Sequence, residues 1–437
     1  MVTTPEALRA EPDGKHSERT IDAIRTALAS VPFYAKAGLS APGNGATLDE
    51  VLGTLPLLTR AKIRPTLPKV WVPEGHDVKA ELAAGSVSVV ETGIADGRVR
   101  VLFDHAWWRA QESRALAIHP TAAQTLRGEM GPYRDAVLWV PEKGAGSCGQ
   151  GDPPYEERLE GTRLHLNSRQ DPTFWSELVM TRMLDELAHH GTKGILADPF
   201  YLDVLARHAL SAGRELDAHG FVALTRALPT TAHKRAIGKA FDGPVFGMFG
   251  ARATGVLFVE GDDGNMHHAP MTTHVELVRA KVETPGAKNV ALVVVTTLGR
   301  TVQPLVRYVL GDLVQVAEGP SRYTIVPPVA SVEGTFDDAI VRPDGALVTA
   351  GAVDRALADV PNVQAYQVTQ EARDALVLEV VGGSADDAAD ALGTLVTGMK
   401  ITPRRATSIA VESNGKYRTA VRKVPASLSD VFEGVSS

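Results

Sequence analysis

The sequence predicts an α/β protein with a large N-terminal α/β domain and a small α+β C-terminal domain. Residues 171–213 contain two helical segments on either side of the short apolar run G-I-L-A, a pattern typical of helices packed on a parallel sheet. Residues beyond about 330 alternate strand-like runs with one helical segment. At 437 residues the chain exceeds the ~250 to 300 residues over which a single core grows, so we expect at least two domains.

The N-terminal part begins with a predicted helix and a predicted hairpin. The helix covers residues 17–30, with Ser17 as its N-cap, and it ends before Pro32 because the residue before a proline disfavours helical backbone. The runs V-S-V-V at 87–90 and R-V-R-V-L-F at 98–103 predict two paired strands. The turn between them contains Asp96 and Gly97, a pair typical of tight hairpin turns.

Two helices in the middle of the chain are predicted from their capping residues. The first has Asp171 as N-cap and Pro172 in its first turn, and it closes on Gly191. The second begins after Asp198, which again precedes a proline, and ends at Gly213. The run G-I-L-A between them is predicted to be a buried strand.

The pattern changes to strands from Ala291 onward. The runs A-L-V-V-V-T-T-L and P-L-V-R-Y-V-L-G-D-L-V-Q-V belong to the first domain. In the second we expect strands at 362–370 and 375–381, a helix behind Ser384 and a final strand in T-S-I-A-V-E-S at 407–413. We place the boundary near residues 327–334, which gives an N-terminal domain of residues 1–330 and a C-terminal domain of residues 331–437.

Composition excludes several classes of function. A formal net charge of −7 and a pI near 6.0 give no electrostatic basis for binding nucleic acid or an acidic membrane surface. The single cysteine, Cys148, excludes an internal disulfide framework and a cysteine zinc cluster. We expect a reducing, cytoplasmic setting, because the N-terminus has no apolar core for a signal peptide and no apolar run is long enough to span a bilayer.

The most specific string is T-T-L-G-R-T-V-Q-P-L-V-R-Y-V-L-G-D-L at residues 296–313. Together with V-P-F-Y at 31–34, L-P-L-L-T-R-A-K-I-R at 55–64, D-P-F-Y-L at 198–202 and N-G-K at 414–416, it resembles the phenylacetate-CoA ligase branch of the adenylate-forming enzymes. The resemblance implies a large domain of the adenylate-forming type and a small mobile C-terminal domain. It also implies acyl activation, in which a carboxylate and ATP give an acyl-adenylate and a thiol then takes the acyl group.

Two of the family's functional positions are retained. The resemblance implies that Asp312, which ends R-Y-V-L-G-D, anchors the ribose, with Arg307 and Tyr308 at the accompanying cofactor-binding places. It implies that Lys416 is the catalytic lysine that reaches the site from the small domain. The alternatives are a simple turn aspartate and a solvated lysine in a basic tail that also contains Arg418.

The phosphate-binding loop of the family is altered here. In E-T-G-I-A-D-G-R, residues 91–98, only Thr92, Gly93, Gly97 and Arg98 match the serine, threonine, glycine and lysine positions that bind the nucleotide. Asp96 would place a negative charge against the phosphates. The alternative interpretation is an ordinary hairpin turn.

The adenine and magnesium positions are altered as well. R-A-L-P at 226–229 stands where the family has Gly-Ala-Glu-Pro, so Arg226 replaces a glycine against which the purine packs. F-G-M-F-G-A-R at 246–252 stands at the aromatic-Gly-x-Ser/Thr-Glu motif, with Gly250 at the magnesium-binding glutamate. At the position of the family's hinge arginine this sequence has Thr335, although the neighbouring Asp337 and Asp338 are retained.

These changes predict a different ligand in the old cleft. We expect Arg226, Phe246, Phe249 and Arg252 to bind the substrate, and we assign no metal site. Cys148 lies in a glycine-rich loop, where it is either a nucleophile or incidental. The histidine pairs at 189–190 and 267–268 are explained by a helix end and by alternation along a strand.

Two functional hypotheses follow. The first is an enzyme of specialised biosynthesis that activates an acyl or aryl carboxylate or transfers it to a thiol or amine, with ordinary ATP-magnesium chemistry altered or lost. Its cofactor is not assigned: the family uses ATP and Mg²⁺, and CoA or a carrier-protein thioester would replace them in an ATP-independent transfer. The second is a non-catalytic relative that binds an acyl ligand, a carrier protein or a partner subunit. A homodimer is a further candidate assembly.

Overall fold

The computed structural model describes residues 13–40, 43, 45–65, 70–92, 99–128, 131–139, 153–167, 172–318, 326–412 and 415–435. The helices within these ranges are α1 (Asp13–Ser30), α2 (Pro32–Lys36), α3 (Leu48–Thr54), α4 (Arg60–Ile63), α5 (Val78–Ala84), α6 (His105–Leu116), α7 (Pro120–Leu126), α8 (Glu177–His190), α9 (Pro199–Ser211), α10 (Thr231–Ala240), α11 (Ala350–Leu357), α12 (Ala385–Gly393) and α13 (Leu428–Val431). No helix in these ranges combines the length and apolar character needed to cross a lipid bilayer.

The strands fall into one large sheet, one small sheet and two hairpins. They are β1 (Val87–Thr92), β2 (Val99–Asp104), β3 (Asp135–Leu138), β4 (Leu159–Glu160), β5 (Arg163–His165), β6 (Gly194–Ala197), β7 (Phe221–Leu224), β8 (Val245–Ala251), β9 (Gly255–Glu260), β10 (Met266–His268), β11 (Thr273–Arg279), β12 (Val290–Thr297), β13 (Tyr308–Val316), β14 (Val329–Thr335), β15 (Ile340–Val341), β16 (Leu347–Val348), β17 (Ala365–Ala372), β18 (Ala375–Val381), β19 (Lys400–Ala406) and β20 (Ala420–Arg422).

The first helix begins earlier than the sequence pattern predicts. α1 starts at Asp13 instead of after Ser17, because His16 is buried and contacts His274 of β11 at 3.1 Å, which holds an additional turn against the sheet. Its predicted end is confirmed, since Val31 is extended with φ −94° and ψ 117°. The predicted hairpin strands are also confirmed: β1 and β2 pair antiparallel, with Thr92 opposite Val99. The turn that joins them lies outside the described residues.

The predicted start of α8 is wrong. The helix begins at Glu177, and Ser176 caps it by accepting a hydrogen bond from the Val179 N–H at 3.3 Å. Pro172–Phe174 forms a separate 3-10 turn, and the buried Trp175 follows it. Two capping candidates lie within six residues of each other, and the sequence alone favoured the one before a proline. The predicted end at Gly191, with φ 62°, is confirmed.

Twelve of the described strands form the large sheet, in the order β11-β12-β13-β14-β10-β9-β8-β7-β6-β3-β5-β4. In one half, β3 pairs in parallel with β5 and β6, and the parallel pairing continues through β7 to β8. This half includes the predicted buried strand G-I-L-A as β6, followed by the predicted helix α9. Helices α8, α9 and α10 cover one face, and α6 and α7 cover the other. The carboxyl ends of the parallel strands therefore share one edge.

The other half of the large sheet is antiparallel. The two predicted strand-rich runs are confirmed as β12 and β13, whose inward residues pack with α1, α3 and α4 in one core cluster. β14 is the last strand of this half and ends at Thr335, where a 3-10 turn, Phe336–Asp338, follows. The boundary between residues 330 and 331 stays a prediction.

The small sheet has the order β19-β18-β17-β20, and α11 and α12 pack on it. The predicted strands at 362–370 and 375–381 and the helix capped by Ser384 are confirmed as β17, β18 and α12. The predicted final strand at 407–413 is wrong. The strand at this edge is Lys400–Ala406, whose charged residues and Pro403 suit an exposed edge and hide it from an apolar pattern.

Candidate active site

Four side chains follow the carboxyl ends of the parallel strands. Trp139 comes directly after β3, Asp198 after β6 and Arg252 after β8, while Arg226 lies two residues beyond β7. Backbone hydrogen bonds continue past the strand ends, from Asp198 N to Leu138 O at 2.9 Å and from Thr225 N to Ala197 O at 2.8 Å. These bonds extend the parallel pairing past the strand ends. Because the four strands are parallel, the four side chains lie at one edge of the sheet, where α/β proteins form their ligand clefts.

Arg226 has the backbone conformation of a glycine. Its φ of 76° lies in the left-handed region, which side-chain-bearing residues adopt rarely. Its guanidinium carbon lies 4.3 Å from the centre of the Trp139 ring and 5.9 Å from that of Trp108 at the start of α6. The backbone thus keeps the shape of the glycine position expected from the family, and the arginine side chain lies against two tryptophans.

Asp198 is the most buried charged group at this edge, with 1% of its surface exposed. It caps α9 as predicted, by accepting a hydrogen bond from the Phe200 N–H at 2.9 Å. Burial raises the pKa of Asp198 to about 6, against the opposing effects of the Phe200 and Tyr201 N–H groups and of the charges on Lys416 and Arg226. Sequence reasoning gave this residue only a capping role, since a helix cap and a site carboxylate look alike in sequence.

Asp312 lies on β13 and shares its surroundings with Arg60 of α4. Burial raises the pKa of Asp312 to about 6, while the charges of Arg60 and Lys416 act to lower it. Arg60 donates hydrogen bonds to the carbonyl oxygen of Leu310 and to the Asp337 carboxylate, the latter at 3.3 Å. Arg60 belongs to the quoted string at 55–64, but it had no assigned role because its partners are more than two hundred residues away.

Lys416 is brought into this cleft by the small domain. Burial, and then the charge of Arg252, lower the pKa of Lys416, while Asp312, Asp338 and Asp198 act to raise it. The neighbouring backbone is fixed to the large domain, because the Tyr201 hydroxyl donates to the Gly415 carbonyl oxygen at 3.1 Å. Lys416 is partly exposed here, and the catalytic role that the resemblance implies stays a prediction.

Of the two residues that follow Lys416, Tyr417 contacts the large domain and Arg418 contacts the small domain. The Tyr417 ring stacks on Phe200 of the large domain, with ring centres 4.7 Å apart and planes at 13°. Arg418 is buried and donates to Asp338 and Glu412, each at 2.7 Å. The segment read from sequence as a basic tail is therefore part of the contact between the domains.

Arg307 has partners in three other elements of the large domain. The Arg307 guanidinium donates to Glu276 at 2.7 and 3.0 Å and to the carbonyl oxygen of Leu52 at 2.7 Å, so it ties β13 to β11 and α3. Thr92 ends β1, and its loop partners are not among the described residues. Gly93, Gly97 and Arg98, together with Asp96 and Cys148, lie outside the described residues, and their predicted roles stay predictions.

The two phenylalanines predicted to bind substrate differ in placement. Phe246 is 2% exposed and stacks on His119, with ring centres 4.1 Å apart and planes at 6°, so it belongs to the core between the sheet and α7. Phe249 is partly buried near the end of β8, 6.2 Å from the Phe258 ring centre. Of the two, Phe249 is the one that lies towards Arg252 and the carboxyl edge of the sheet.

The position expected to hold a magnesium-binding glutamate does not fit one. A Cβ atom at Gly250 would lie 2.4 Å from the Gly255 carbonyl oxygen and 2.7 Å from the Val256 Cα, so the backbone of β9 excludes any side chain there. The next acid, Glu260, accepts a hydrogen bond from the Gly247 N–H at 2.7 Å and lies 3.7 Å from the Lys234 ammonium. Throughout the described ranges, no three acidic, histidine or cysteine side chains converge on a common metal position.

The histidine pairs have structural partners. His267 contacts Asp263 at 2.9 Å, and His268, facing the other way, lies 3.2 Å from the Thr273 hydroxyl. His190 is buried and lies 2.9 Å from the Tyr155 hydroxyl, so it does more than complement a helix dipole. His190, His267 and His268 thus each have at least one partner within the protein.

The sequence matches no protein-family model and no curated protein. In three dimensions the chain is similar to a 2-hydroxyisobutyryl-CoA ligase solved in several states. With the postadenylation state, in complex with R3-HIB-AMP, the TM-score is 0.66 at 16% identity, covering 94% of this chain and 89% of that chain. With an open conformation the TM-score is 0.56 at 16% identity, covering 93% and 90%. With the thioesterification state it is 0.54 at 17% identity, covering 94% and 89%.

This similarity confirms the predicted fold class. The chain has the adenylate-forming ligase fold, with a large α/β domain and a smaller C-terminal domain.

Proposed function

We propose that this protein is a divergent relative of the phenylacetate-CoA ligase branch that acts on an acyl or aryl carboxylate, activating it or transferring it to a thiol or amine in specialised biosynthesis. Ordinary ATP-magnesium chemistry is altered or lost in this proposal. The observation that carries it is the position of Lys416, which the small domain holds beside Asp312 and Asp198 at the carboxyl edge of the sheet. A chain that only bound ligands would not need a lysine on a separate domain in that place.

The cleft residues suit acyl transfer. As a nucleophile attacks an acyl carbon, negative charge develops on the acyl oxygen, and a preorganised cation such as Lys416 stabilises it. The bond from the acyl carbon to its leaving group then breaks as the new C–S or C–N bond forms. The proton of the thiol or amine needs an acceptor, and Asp198, with its pKa raised by burial to about 6, suits proton transfer near neutral pH.

The altered nucleotide site supports the ATP-independent form of the proposal. Arg226 takes the place of the glycine expected against the purine, and Gly250 leaves no room for a carboxylate that would bind magnesium. The acyl donor is then a preactivated compound such as a CoA or carrier-protein thioester. A small-molecule substrate, a cytoplasmic setting and a homodimeric assembly complete the proposal.

The test is trapping of the acyl group with hydroxylamine. Wild type is supplied with a panel of aryl and alkyl acids plus ATP and Mg²⁺, and in parallel with the corresponding CoA thioesters without ATP. Lys416→Ala is expected to lower hydroxamate formation by about two to three orders of magnitude, as loss of a charge-stabilising group does. The matched control is Lys423→Ala in the same segment, whose ammonium pairs with Glu371 at 2.7 Å away from the cleft.

Two outcomes separate this proposal from its alternative. Hydroxamate formation that depends on Lys416 but not on Lys423 supports an enzyme, and the arm that yields product shows whether ATP is used. No product in either arm, combined with unchanged product formation in cells carrying Lys416→Ala and Asp312→Asn, would favour the non-catalytic relative that binds an acyl ligand, a carrier protein or a partner subunit.

A further inference from the structure

The two most exposed large apolar side chains in the described part of the chain lie at the start of α8. Leu178, in the first turn of the helix, is 80% exposed, and Phe174, in the 3-10 turn before it, is 74% exposed. The other exposed large apolar side chains in these ranges have between 38% and 48% of their surface in solvent. Large apolar side chains exposed close together and surrounded by polar residues are typical of a protein–protein contact.

A recess in the surface lies beside Leu178, along the same side of α8. It has a volume of about 330 Å³, and its lining includes Leu178, Thr181 and His189 of the helix together with Tyr155. The Tyr155 ring meets the His189 ring edge-on, with ring centres 5.4 Å apart and planes at 73°. One surface of the protein thus contains both a protruding apolar side chain and a recess with an aromatic end.

The recess residues of α8 are arranged so that the surface complements itself. Leu178, Arg182, Asp185 and His189 follow one another at spacings of four, three and four residues, so they form one stripe along the helix. A two-fold axis through the middle of this stripe places two copies of α8 antiparallel. Residues at equal distances from the axis then face each other, and these pairs are Leu178 with His189, Arg182 with Asp185, and Thr181 with Glu186.

The charges of the stripe match across this axis. Arg182 of each copy faces Asp185 of the other, which gives two pairs of opposite charge. Within one copy both groups keep the partners they have: Asp185 pairs with Arg214 at 2.8 Å, and Arg182 donates to the Leu166 carbonyl oxygen at 3.0 Å. The second copy therefore adds a contact to each group and replaces none.

The acidic residues of α8 also select this register over its neighbours. A shift of one helical turn in one direction would set Asp185 against Glu186 of the other copy. A shift of one turn in the other direction would set Glu177 against Glu186. Since like charges that face each other oppose association, the arrangement centred on the recess is favoured over both alternatives.

We propose that α8 is the surface on which a second copy of this chain docks, antiparallel, with Leu178 of each copy packed against the Tyr155 and His189 end of the recess in the other. Burial of Leu178 and Phe174 supplies the attraction, and the pairs of Arg182 with Asp185 fix the register. This proposal rests on the homodimer included in the proposed function, and it gives that dimer its interface.

The test is the oligomeric state of the full chain, measured by sedimentation equilibrium. Wild type is expected to form a dimer with twice the mass of the 46.5 kDa chain at micromolar concentrations. Leu178→Glu is expected to raise the dissociation constant about thirtyfold or more, because it replaces a central apolar contact by a carboxylate. The matched control, Leu82→Glu, changes a leucine of α5 that is 38% exposed, and it is expected to leave the dimer unchanged.

An exchange of charges tests the register. Arg182→Glu and Asp185→Arg, each alone, set like charges against each other across the axis and are expected to weaken the dimer about tenfold. The double variant carries opposite charges again, in reversed positions, and is expected to recover most of the lost affinity. Circular dichroism of every variant separates loss of association from loss of folding.

Each outcome decides the proposal. A wild-type chain that stays monomeric at micromolar concentrations would overturn it, and this result depends on no variant. A dimer that Leu178→Glu leaves intact, or a folded double variant that associates no better than the two single variants, would also overturn it. Failure of the proposed function is a separate result: a dimer without acyl transfer removes only the function, and acyl transfer by a monomer removes only this inference.

Discussion

At the scale of single residues, the cleft depends on carboxylates that are buried beside cations. Asp198 and Asp312 both have pKa values raised by burial to about 6, and the cations around them only partly offset that effect. Ionising such a group near neutral pH opposes folding, because the unfolded chain keeps it in water. Ionisation of these two buried carboxylates thus reduces the stability of the folded protein at neutral pH.

Asp198→Asn tests this account of burial. Asparagine caps a helix about as well as aspartate and carries no charge, so the variant is expected to be more stable than wild type by about 1 to 3 kcal/mol at pH 7.5. The folded-state pKa of Asp198 is raised above the unfolded one, so the folded form holds the proton more tightly. The advantage of the variant should therefore shrink as pH falls through 6 towards 4. Urea unfolding at a series of pH values measures it.

The control for this prediction is Asp344→Asn. Asp344 is exposed and its pKa is lowered, first by the backbone N–H of Ala346, so its removal is not expected to stabilise the protein at pH 7.5. A difference between Asp198→Asn and wild type that stays constant from pH 7.5 to 4 would contradict the raised pKa.

The residues of the charged cleft differ in how clearly the sequence pointed to them. Arg226, Arg252, Asp312 and Lys416 were candidates because they stand at, or replace, family positions in a recognisable order, and their roles stay predictions. Arg60 was missed because it functions through contacts with β13 and the 3-10 turn that no local pattern records. The opposite error occurred at Phe246, where an aromatic residue of a site motif packs into the core.

At the scale of elements, the bend between β8 and β9 leaves no space for a side chain at Gly250, the position that the resemblance assigns to a metal ligand. The two strands pair antiparallel with a register shift after Phe249, and this shift brings the Gly255 backbone against Gly250. A bulge of this kind redirects side chains at the end of a strand. The backbone itself therefore excludes a side chain at Gly250, the position that the resemblance assigns to a magnesium-binding glutamate.

Gly250→Ala is the most economical test of that bend. The added Cβ meets backbone atoms that cannot rotate away, so we expect a loss of about 1 to 3 kcal/mol in the free energy of unfolding, measured by chemical denaturation. The matched control is Gly238→Ala in α10, where nothing lies within 4 Å and alanine should add up to about 1 kcal/mol. If Gly250→Ala were as stable as wild type, a metal ligand at this position would be sterically allowed.

The sequence predicted those elements whose signals are local along the chain. Buried strands such as β6 and β12 and the capped helix α9 were predicted because apolar runs and caps are local signals. The strand β19 was missed because its three charged residues and its proline reflect its position at the edge of the small sheet, which only the tertiary structure reveals. The start of α8 was missed because two caps competed.

At the scale of the whole molecule, hydrogen bonds and one aromatic stack join the two domains. Asp354 of α11 accepts hydrogen bonds from the Thr231 N–H at 2.9 Å and from its hydroxyl at 2.7 Å at the start of α10. Its other oxygen accepts from the Tyr366 hydroxyl of the small sheet at 3.0 Å. With the Tyr417 stacking on Phe200, these contacts hold Lys416 in the cleft.

At the same scale, we propose that this fold keeps Lys416 at the cleft while the positions that the resemblance assigns to magnesium and to the purine bind neither. Two observations support this proposal: the arginine at a glycine-like backbone position and the bend that excludes a side chain at Gly250. The fold by itself does not fix the cofactor.

The measurement that tests this claim most directly is isothermal titration of the wild-type chain with ATP, in the presence and in the absence of Mg²⁺. We expect no binding tighter than the millimolar range and no gain in affinity on adding Mg²⁺, because Gly250 leaves no room for a metal-binding side chain and Arg226 stands where the resemblance places the purine. Micromolar binding of ATP that strengthens tenfold or more with Mg²⁺ would contradict it.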